Sequence, residues 1–199
     1  MVLDVDTLDP DPIAQLAAWL AEAERAELPL PNTFALATAS DSGEPSVRMV
    51  LLRGLDVDGL RFHTNRSSRK GRDLAANPRA AATFWWPPLD RQVRVAGSVT
   101  TLPEVESVAY WRTRPRASQL SAWASRQGAE IGSRQELEMR VREIAERFGG
   151  EVPLPPFWGG YLLRPRTFEF WASRADRLHD RVEYLPDGGG GWRRRRLQP

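Results

Sequence analysis

Apolar residues at Ile13, Leu16 and Leu20, with alanines between them, recur at helical spacing to about Glu27. Asp11-Pro12 ahead of them matches an N-cap followed by proline in the first turn, and Leu28-Pro29-Leu30-Pro31 stops the pattern. The spacing then changes to short apolar runs punctuated by glycine and aspartate, which is how hairpins read. Strands are predicted over residues 33–39, 47–53 and 60–64, with turns at Asp41-Ser42-Gly43 and Asp56-Val57-Asp58-Gly59. Ser67 or Ser68 caps a short helix that ends at Ala76, before Asn77-Pro78. Strands follow over 80–86 and 91–102, the second alternating through Val93, Val95 and Val99 with Gly97 as a bulge. Helices are predicted from Pro103 to Thr113, over 118–125, and from a capping box at Ser133-Arg134-Gln135-Glu136 to Phe148. Beyond the proline-rich connector 151–156, four more strands are predicted over 158–163, 167–171, 181–185 and 192–197. Antiparallel hairpins dominate, so the expected class is α+β: a barrel or strongly curled sheet with peripheral helices. No βαβ alternation supports a Rossmann or TIM fold. Residues 1–11 read as an N-terminal tail and 12–199 as a single domain.

Composition narrows the chemistry. The chain has 199 residues, 41% of them hydrophobic, and a formal charge of +2. No apolar run approaches the roughly 20 residues of a spanning helix. The acidic start has neither the basic region nor the apolar stretch of a signal peptide. There is no cysteine, which excludes disulfides, thiolate metal sites and a cysteine nucleophile. A cytoplasmic protein without membrane contact is therefore expected. His63 and His179 are the only histidines and lack metal-ligand spacing, so no metal is expected. No nucleophile elbow or P-loop occurs, so the hard chemistry of an enzyme would fall to an organic cofactor. Lys70 is the single lysine among 28 basic residues. A GC-rich coding genome accounts for most of that ratio; placement decides whether particular arginines grip phosphate or carboxylate.

Three segments concentrate arginine with polar and aromatic groups. Arg48-Met49-Val50-Leu51-Leu52-Arg53 is followed by His63-Thr64-Asn65-Arg66-Ser67-Ser68-Arg69-Lys70, which ends in a basic pair at a helix start. Helix N-terminal amides plus two cations suit a phosphate; equally, the pair fits a solvated helix start. In the second segment, Tyr110, Arg114 and Ser118 lie four residues apart around a helix break at Pro115. They either converge on a phosphate or divide between core and solvent. Third, Trp171 precedes Arg177-Leu178-His179-Asp180-Arg181 at a strand entrance. His179 there is either functional or a surface histidine beside Asp180. The run Arg193 to Arg196 lacks interleaved aromatics and would split between two strand faces, so nucleic acid is not expected.

Together, RMVLLR (48–53), FHTNRSSRKG (62–71), DRQVRVAG (90–97), RPRASQLSAWAS (114–125), VPLPPFWGGY (152–161), FEFW (168–171) and RLHDR (177–181) resemble the pyridoxine (pyridoxamine) 5′-phosphate oxidase family. The motifs occur in family order across residues 12 to 199. The resemblance implies an FMN-binding split β-barrel, a homodimer with FMN at its interface, and oxygen as electron acceptor. It places Arg48, Met49, Val50, Leu51, Leu52, Arg53, His63, Thr64, Arg69, Lys70 and Gln92 around FMN. Gln127, Trp171 and Arg181 would reach the flavin from the second subunit. It assigns Tyr110, Arg114 and Ser118 to the substrate phosphate. Arg53, Arg177 and His179 would contact the substrate, with Arg177 and His179 catalytic.

The implied reaction converts pyridoxine or pyridoxamine 5′-phosphate to pyridoxal 5′-phosphate with release of hydrogen peroxide. Arg53 stands where the family has lysine, Gly128 where it has serine, and His63 where tyrosine is common. The family's arginine-and-tyrosine substrate lid is not visible before Pro12. Trp171-Ala172-Ser173 and the Leu197-Gln198-Pro199 ending resemble the phenazine-biosynthesis branch. A flavin oxidase of secondary metabolism and a non-catalytic flavin or pyridoxal-phosphate binder are the competing expectations.

Overall fold

Alternation in the first strand becomes one buried face: in β1 (Thr33–Ala39), Phe34, Leu36 and Thr38 point inward. The computed structural model describes residues 3–199. The other strands are β2 (Pro45–Leu51), β3 (Gly54–Asp56), β4 (Gly59–Asn65), β5 (Arg79–Trp86), β6 (Arg91–Thr101), β7 (Trp158–Ala172), β8 (Asp180–Pro186) and β9 (Trp192–Arg196). The helices are α1 (Pro12–Arg25), α2 (Arg69–Ala76), α3 (Glu104–Thr113), α4 (Arg116–Ala124) and α5 (Arg134–Arg147). The α+β expectation holds. All strand pairings are antiparallel, in the order β2-β1-β5-β6-β7-β4-β3, with β8 added to β7 and β9 to β8.

The two ends of that path are consecutive in the chain. Leu52 N–H donates to Asn32 O at 2.8 Å, and Arg53 N–H donates to Arg61 O at 2.8 Å. One stretch of chain thus passes from the β1 side to the β4 side, and the sheet curls back on itself. Phe34, Phe62, Phe84, Phe168 and Phe170 fill the interior, and Trp19 of α1 meets Phe170 edge-to-face with ring centres 5.1 Å apart. A second apolar cluster, Trp111, Leu120, Val152 and Trp158, joins α3 and α4 to the start of β7.

Several boundaries differ from the sequence pattern. The strand expected over 47–53 is β2, which ends at Leu51 because Leu52 turns into the core with 7% exposure, and the short strand β3 that follows from Gly54 was not expected. The strands expected over 158–163 and 167–171 are one, β7. Arg164-Pro165-Arg166 lies between the two expected strands, and the β6–β7 register shifts there: Ala96 faces Thr167 and Gly97 faces Pro165. Arg166 is the extra residue of a bulge, a position where proline's missing donor is tolerated. Gly97 is required at this site, since a Cβ would lie 1.9 Å from Arg164 O. Helix α4 begins two residues before the expected Ser118. The stretch expected as a tail contributes Leu3 and Leu8 to the main core; Met1 and Val2 lie outside the described residues.

The caps behave as expected. Asp11 accepts from Ile13 N–H, Ser68 from Gly71 N–H and Ser133 from Glu136 N–H. The reciprocal half of the capping box is displaced: Glu136 accepts from Gly132 N–H at 3.2 Å.

Candidate active site

The first two sequence clusters meet in one cleft of about 520 Å³, lined by Arg48, Met49, Val50, Leu51, Arg53, His63, Thr64, Arg69, Lys70, Tyr110, Arg114 and Gln127. β2 supplies one wall. The end of β4 and the first turn of α2 supply the floor. The break between α3 and α4 supplies the far side.

At one end Lys70 is only 6% exposed. Its ammonium donates to Thr64 Oγ1 at 3.0 Å, Ser68 Oγ at 3.1 Å and Gln127 Oε1 at 3.0 Å, all neutral oxygens. Burial, with Arg48 nearby, lowers its pKa to about 8. Arg48 is fixed by Thr38 Oγ1 at 2.7 Å and Ser46 Oγ at 2.6 Å, and Asp73 lies 3.9 Å away. Arg69 is exposed and pairs with Glu44 at 2.8 Å. The first turn of α2 contains no acidic residue. This end is a nest of donors with excess positive charge, an arrangement able to hold an anion.

The other end is aromatic. The His63 ring lies 4.2 Å from Tyr110 and 5.4 Å from Trp158, with interplanar angles of 24° and 16°. His63 faces Gly160 across the β4–β7 ladder, and a Cβ at Gly160 would lie 2.8 Å from His63 Nε2. Glycine therefore lets the ring lie flat on β7. Both His63 nitrogens are buried without a partner. Burial, then Arg114 and Arg53, lowers the His63 pKa to about 4, so the ring is neutral at pH 7. Arg114 sits at the helix break, its guanidinium 5.0 Å from the Trp158 ring centre and 5.6 Å from Trp111. It donates to Ser118 O at 3.2 Å, and its Nε is buried and unpartnered. Arg53 lies 5.6 Å from the Tyr110 ring centre. A second hollow of about 460 Å³ continues past His63 and Arg114 to Ser118, Ser121 and Ser125.

Not every expected residue joins this site. Leu52 packs in the core, with its N–H and carbonyl both bonded to Asn32. Gln127, assigned by the resemblance to the opposite subunit, meets Lys70 within this chain. Gln92, Trp171, Arg177, His179 and Arg181 do not line this cleft; they stand on β6, β7, β8 and the loop before β8. Gln92 faces Trp171 in the ladder. Trp171 lies 4.6 Å from the His179 ring. Arg181 is tied to Glu169 through Nε–Oε1 at 2.8 Å and Nη2–Oε2 at 3.0 Å. Arg177 has φ 63°, and Asp176 before it φ 59°. Sequence reasoning missed Trp158 as a wall of the site and Thr38 as a clamp on Arg48. Trp158 carried a signal, since it opens the WGGY run. Thr38 carried none, because the β1–β2 register alone brings it to Arg48.

Among the described residues, no helix is long and apolar enough to cross a membrane. Residues 20–148 match the pyridoxamine 5′-phosphate oxidase family model. Residues 158–199 match the pyridoxine 5′-phosphate oxidase C-terminal dimerisation region. A pyridoxine/pyridoxamine 5′-phosphate oxidase of Rubrobacter xylanophilus is 55% identical over 98% of this chain and 89% of its own. One from Anaeromyxobacter dehalogenans is 56% identical over 96% of each chain. Among solved structures, PhzG of Burkholderia lata, in complex with tetrahydrophenazine-1-carboxylic acid, superposes with TM-score 0.92 at 35% identity. That match covers 100% of this chain and 98% of PhzG. A pyridoxamine 5′-phosphate oxidase-related, FMN-binding protein of Nostoc punctiforme shares the fold, with TM-score 0.75 at 20% identity, over 96% of this chain and 100% of its own. The curled antiparallel sheet is thus a split barrel, and by sequence and fold together this chain belongs to the pyridoxamine 5′-phosphate oxidase family of oxidoreductases.

Proposed function

We propose that this enzyme is an FMN-dependent oxidase that converts pyridoxine or pyridoxamine 5′-phosphate to pyridoxal 5′-phosphate. The observation that carries the reading is the buried Lys70 ammonium with only neutral partners. A buried cation without a counter-ion is costly. A phosphate ester beside Arg48, Arg69 and the α2 N-terminus restores the balance. That donor set fits the phosphate of FMN, with Met49, Val50, Leu51, Arg53, His63 and Thr64 along the rest of the cleft. Leu52 serves only by shaping the β2–β3 bend.

When bound, FMN would supply the two-electron redox chemistry that links oxidation at the substrate C4′ carbon to reduction of dioxygen. Overall, the alcohol substrate and O2 give the aldehyde and H2O2; the amine substrate also consumes water and releases ammonia. The chain's own groups bind and orient. Arg114, Ser118 and Tyr110 form the second anion-binding end and take the substrate phosphate, while Trp158 and His63 close the aromatic wall. The neutral His63 ring adds no further positive charge between the two anion-binding ends.

Arg177, His179, Trp171 and Arg181 belong to the same site in a homodimer, in which a second copy brings its 158–199 region to the cleft. That none of the four lines the Lys70 cleft within one chain supports that arrangement, as does the match of that region to a dimerisation region. His179 Nδ1 accepts from Arg174 N–H at 3.2 Å. With Nδ1 occupied as an acceptor, Nε2 is the ring nitrogen left to face the substrate.

The likeness to PhzG over the whole chain favours a second reading, oxidation of a dihydrophenazine-type acid. A steady-state assay of FMN-loaded protein with pyridoxine phosphate, pyridoxamine phosphate and such a tricyclic acid decides between them. Turnover of the two phosphates with stoichiometric hydrogen peroxide is expected. Arg114→Ala should lower their kcat/KM by about 100-fold, the worth of charge-assisted phosphate hydrogen bonds. Oxidation of the tricyclic acid alone, or indifference to Arg114→Ala, would overturn the assignment.

A further inference from the structure

The arginine run at 193–196 and the stretch before α1 converge on a residue outside the proposed site, Asp180. Asp180 is 8% exposed and opens β8, directly after His179. Its Oδ2 accepts from Leu3 N–H at 3.0 Å and from Arg174 Nε at 2.7 Å. Its Oδ1 accepts from Arg196 Nη1 at 3.1 Å. Although burial alone would raise the Asp180 pKa, these donors together hold it below the usual carboxylate range.

Arg194 and Arg196 point to the same side of β9, as alternation requires. Arg194 donates to Leu8 O at 2.7 Å, and Arg196 pairs with Asp4 at 3.1 Å. Leu3 and Leu8 are themselves 1% and 5% exposed. The segment 3–8 is therefore strapped along β8 and β9, and its first described amide ends on Asp180. Between Arg174 and Asp180 the chain holds two non-glycine residues at positive φ, Asp176 and Arg177. Such backbone is costly and persists only where its surroundings determine it. The two ends of that loop are joined by the Arg174–Asp180 pair, and Arg174 N–H also holds the His179 ring.

We propose that Asp180 is a positioning residue for the loop carrying Arg177 and His179, and that residues 3–8, clamped by Arg194 and Arg196, hold Asp180 in place. The inference rests on the proposed substrate roles of Arg177 and His179. Segment 3–8 acts on the substrate loop through the Leu3 amide and the Asp180 carboxylate.

The test compares Asp180→Asn, Leu3→Pro and Leu3→Ala. Leu3→Ala loses a buried side chain but keeps the N–H; Leu3→Pro loses both, so their difference reports the amide. The first readout is the imidazole NMR signal of His179, easily separated because the chain has only two histidines. Wild type and Leu3→Ala should show Nδ1 accepting a hydrogen bond. Leu3→Pro and Asp180→Asn should move toward free-histidine shifts. The second readout is kinetic. Leu3→Pro and Asp180→Asn should raise KM for pyridoxine phosphate about tenfold, while the FMN dissociation constant stays within twofold. Unmoved His179 signals with an unchanged KM in both variants would overturn the proposal. A His179→Ala enzyme that turns over normally would instead overturn the substrate role of His179 itself.

Discussion

Lys70 and the cations around it set the chemistry of the site at the scale of single residues. A lysine pKa lowered to about 8 has a defined thermodynamic sign. Between pH 8 and the unfolded value of 10.5 the unfolded chain binds more protons, so stability of the FMN-free protein should rise with pH across that window. Anion affinity runs the other way. The ammonium must be protonated to hold phosphate, so FMN binding should weaken above pH 8, approaching tenfold per pH unit. Lys70→Met separates the two effects. It should bind FMN about 100-fold more weakly, judged by flavin fluorescence titration. It should also be about 1 kcal/mol more stable without FMN by urea denaturation, because an uncompensated buried charge is gone. Equal loss of both would mean that Lys70 is structural. The residues proposed to bind anions were legible as candidates in the sequence, since Arg48, Arg69, Lys70, Arg114 and Ser118 stood in dense polar clusters. Their partners were less so: Thr38 reaches Arg48 only through strand register, and Asp180 reaches Leu3 across almost the whole chain.

At the scale of elements, β7 is the spine of the molecule. It pairs with β4 and with β6, and its second half also pairs with β8. Its length depends on the bulge at Gly97 and Pro165. Gly97→Ala would force a methyl group into Arg164 O, so the β6–β7 ladder must break or shift. We expect a cost of roughly 3 kcal/mol, seen as a melting temperature lowered by about 10 °C. A variant within 2 °C of wild type, on the order of the shift from about 1 kcal/mol or less, would show that the ladder gives way cheaply. Helix ends and caps were readable because capping is local chemistry of adjacent residues. Joining 158–163 to 167–171 was not readable, because proline within a strand becomes acceptable only when the opposite strand supplies a bulge.

On the scale of the whole molecule, the proposed site is divided. Lys70 and Arg114 share a cleft, whereas Trp171, His179 and Arg181 stand on the β7–β8 side. Val47 and Met49 of β2 are 67% and 63% exposed and border the cleft; Trp85 of β5 is 48% exposed. In the proposed homodimer a second copy would cover these apolar side chains. Met49→Asp should shift sedimentation equilibrium from dimer to monomer and weaken FMN binding at least tenfold. A dimer of unchanged stability would remove this face from the interface. The arginine-rich end of the chain also has its explanation at this scale. Arg194 and Arg196 strap the first residues onto β8 and β9, a role no local pattern announces.

By itself the sequence determined the hairpin-rich α+β class, the helix caps and the groups capable of holding phosphate. These depend on residues near one another in the chain, where periodicity, turn chemistry and charge act directly. Only the tertiary structure decided that β2 and β3 close the sheet, that Leu52 leaves the cleft for the core and that Asp180 anchors the start of the chain. Each of those rests on contacts between distant segments, whose geometry is set by sheet register and core packing.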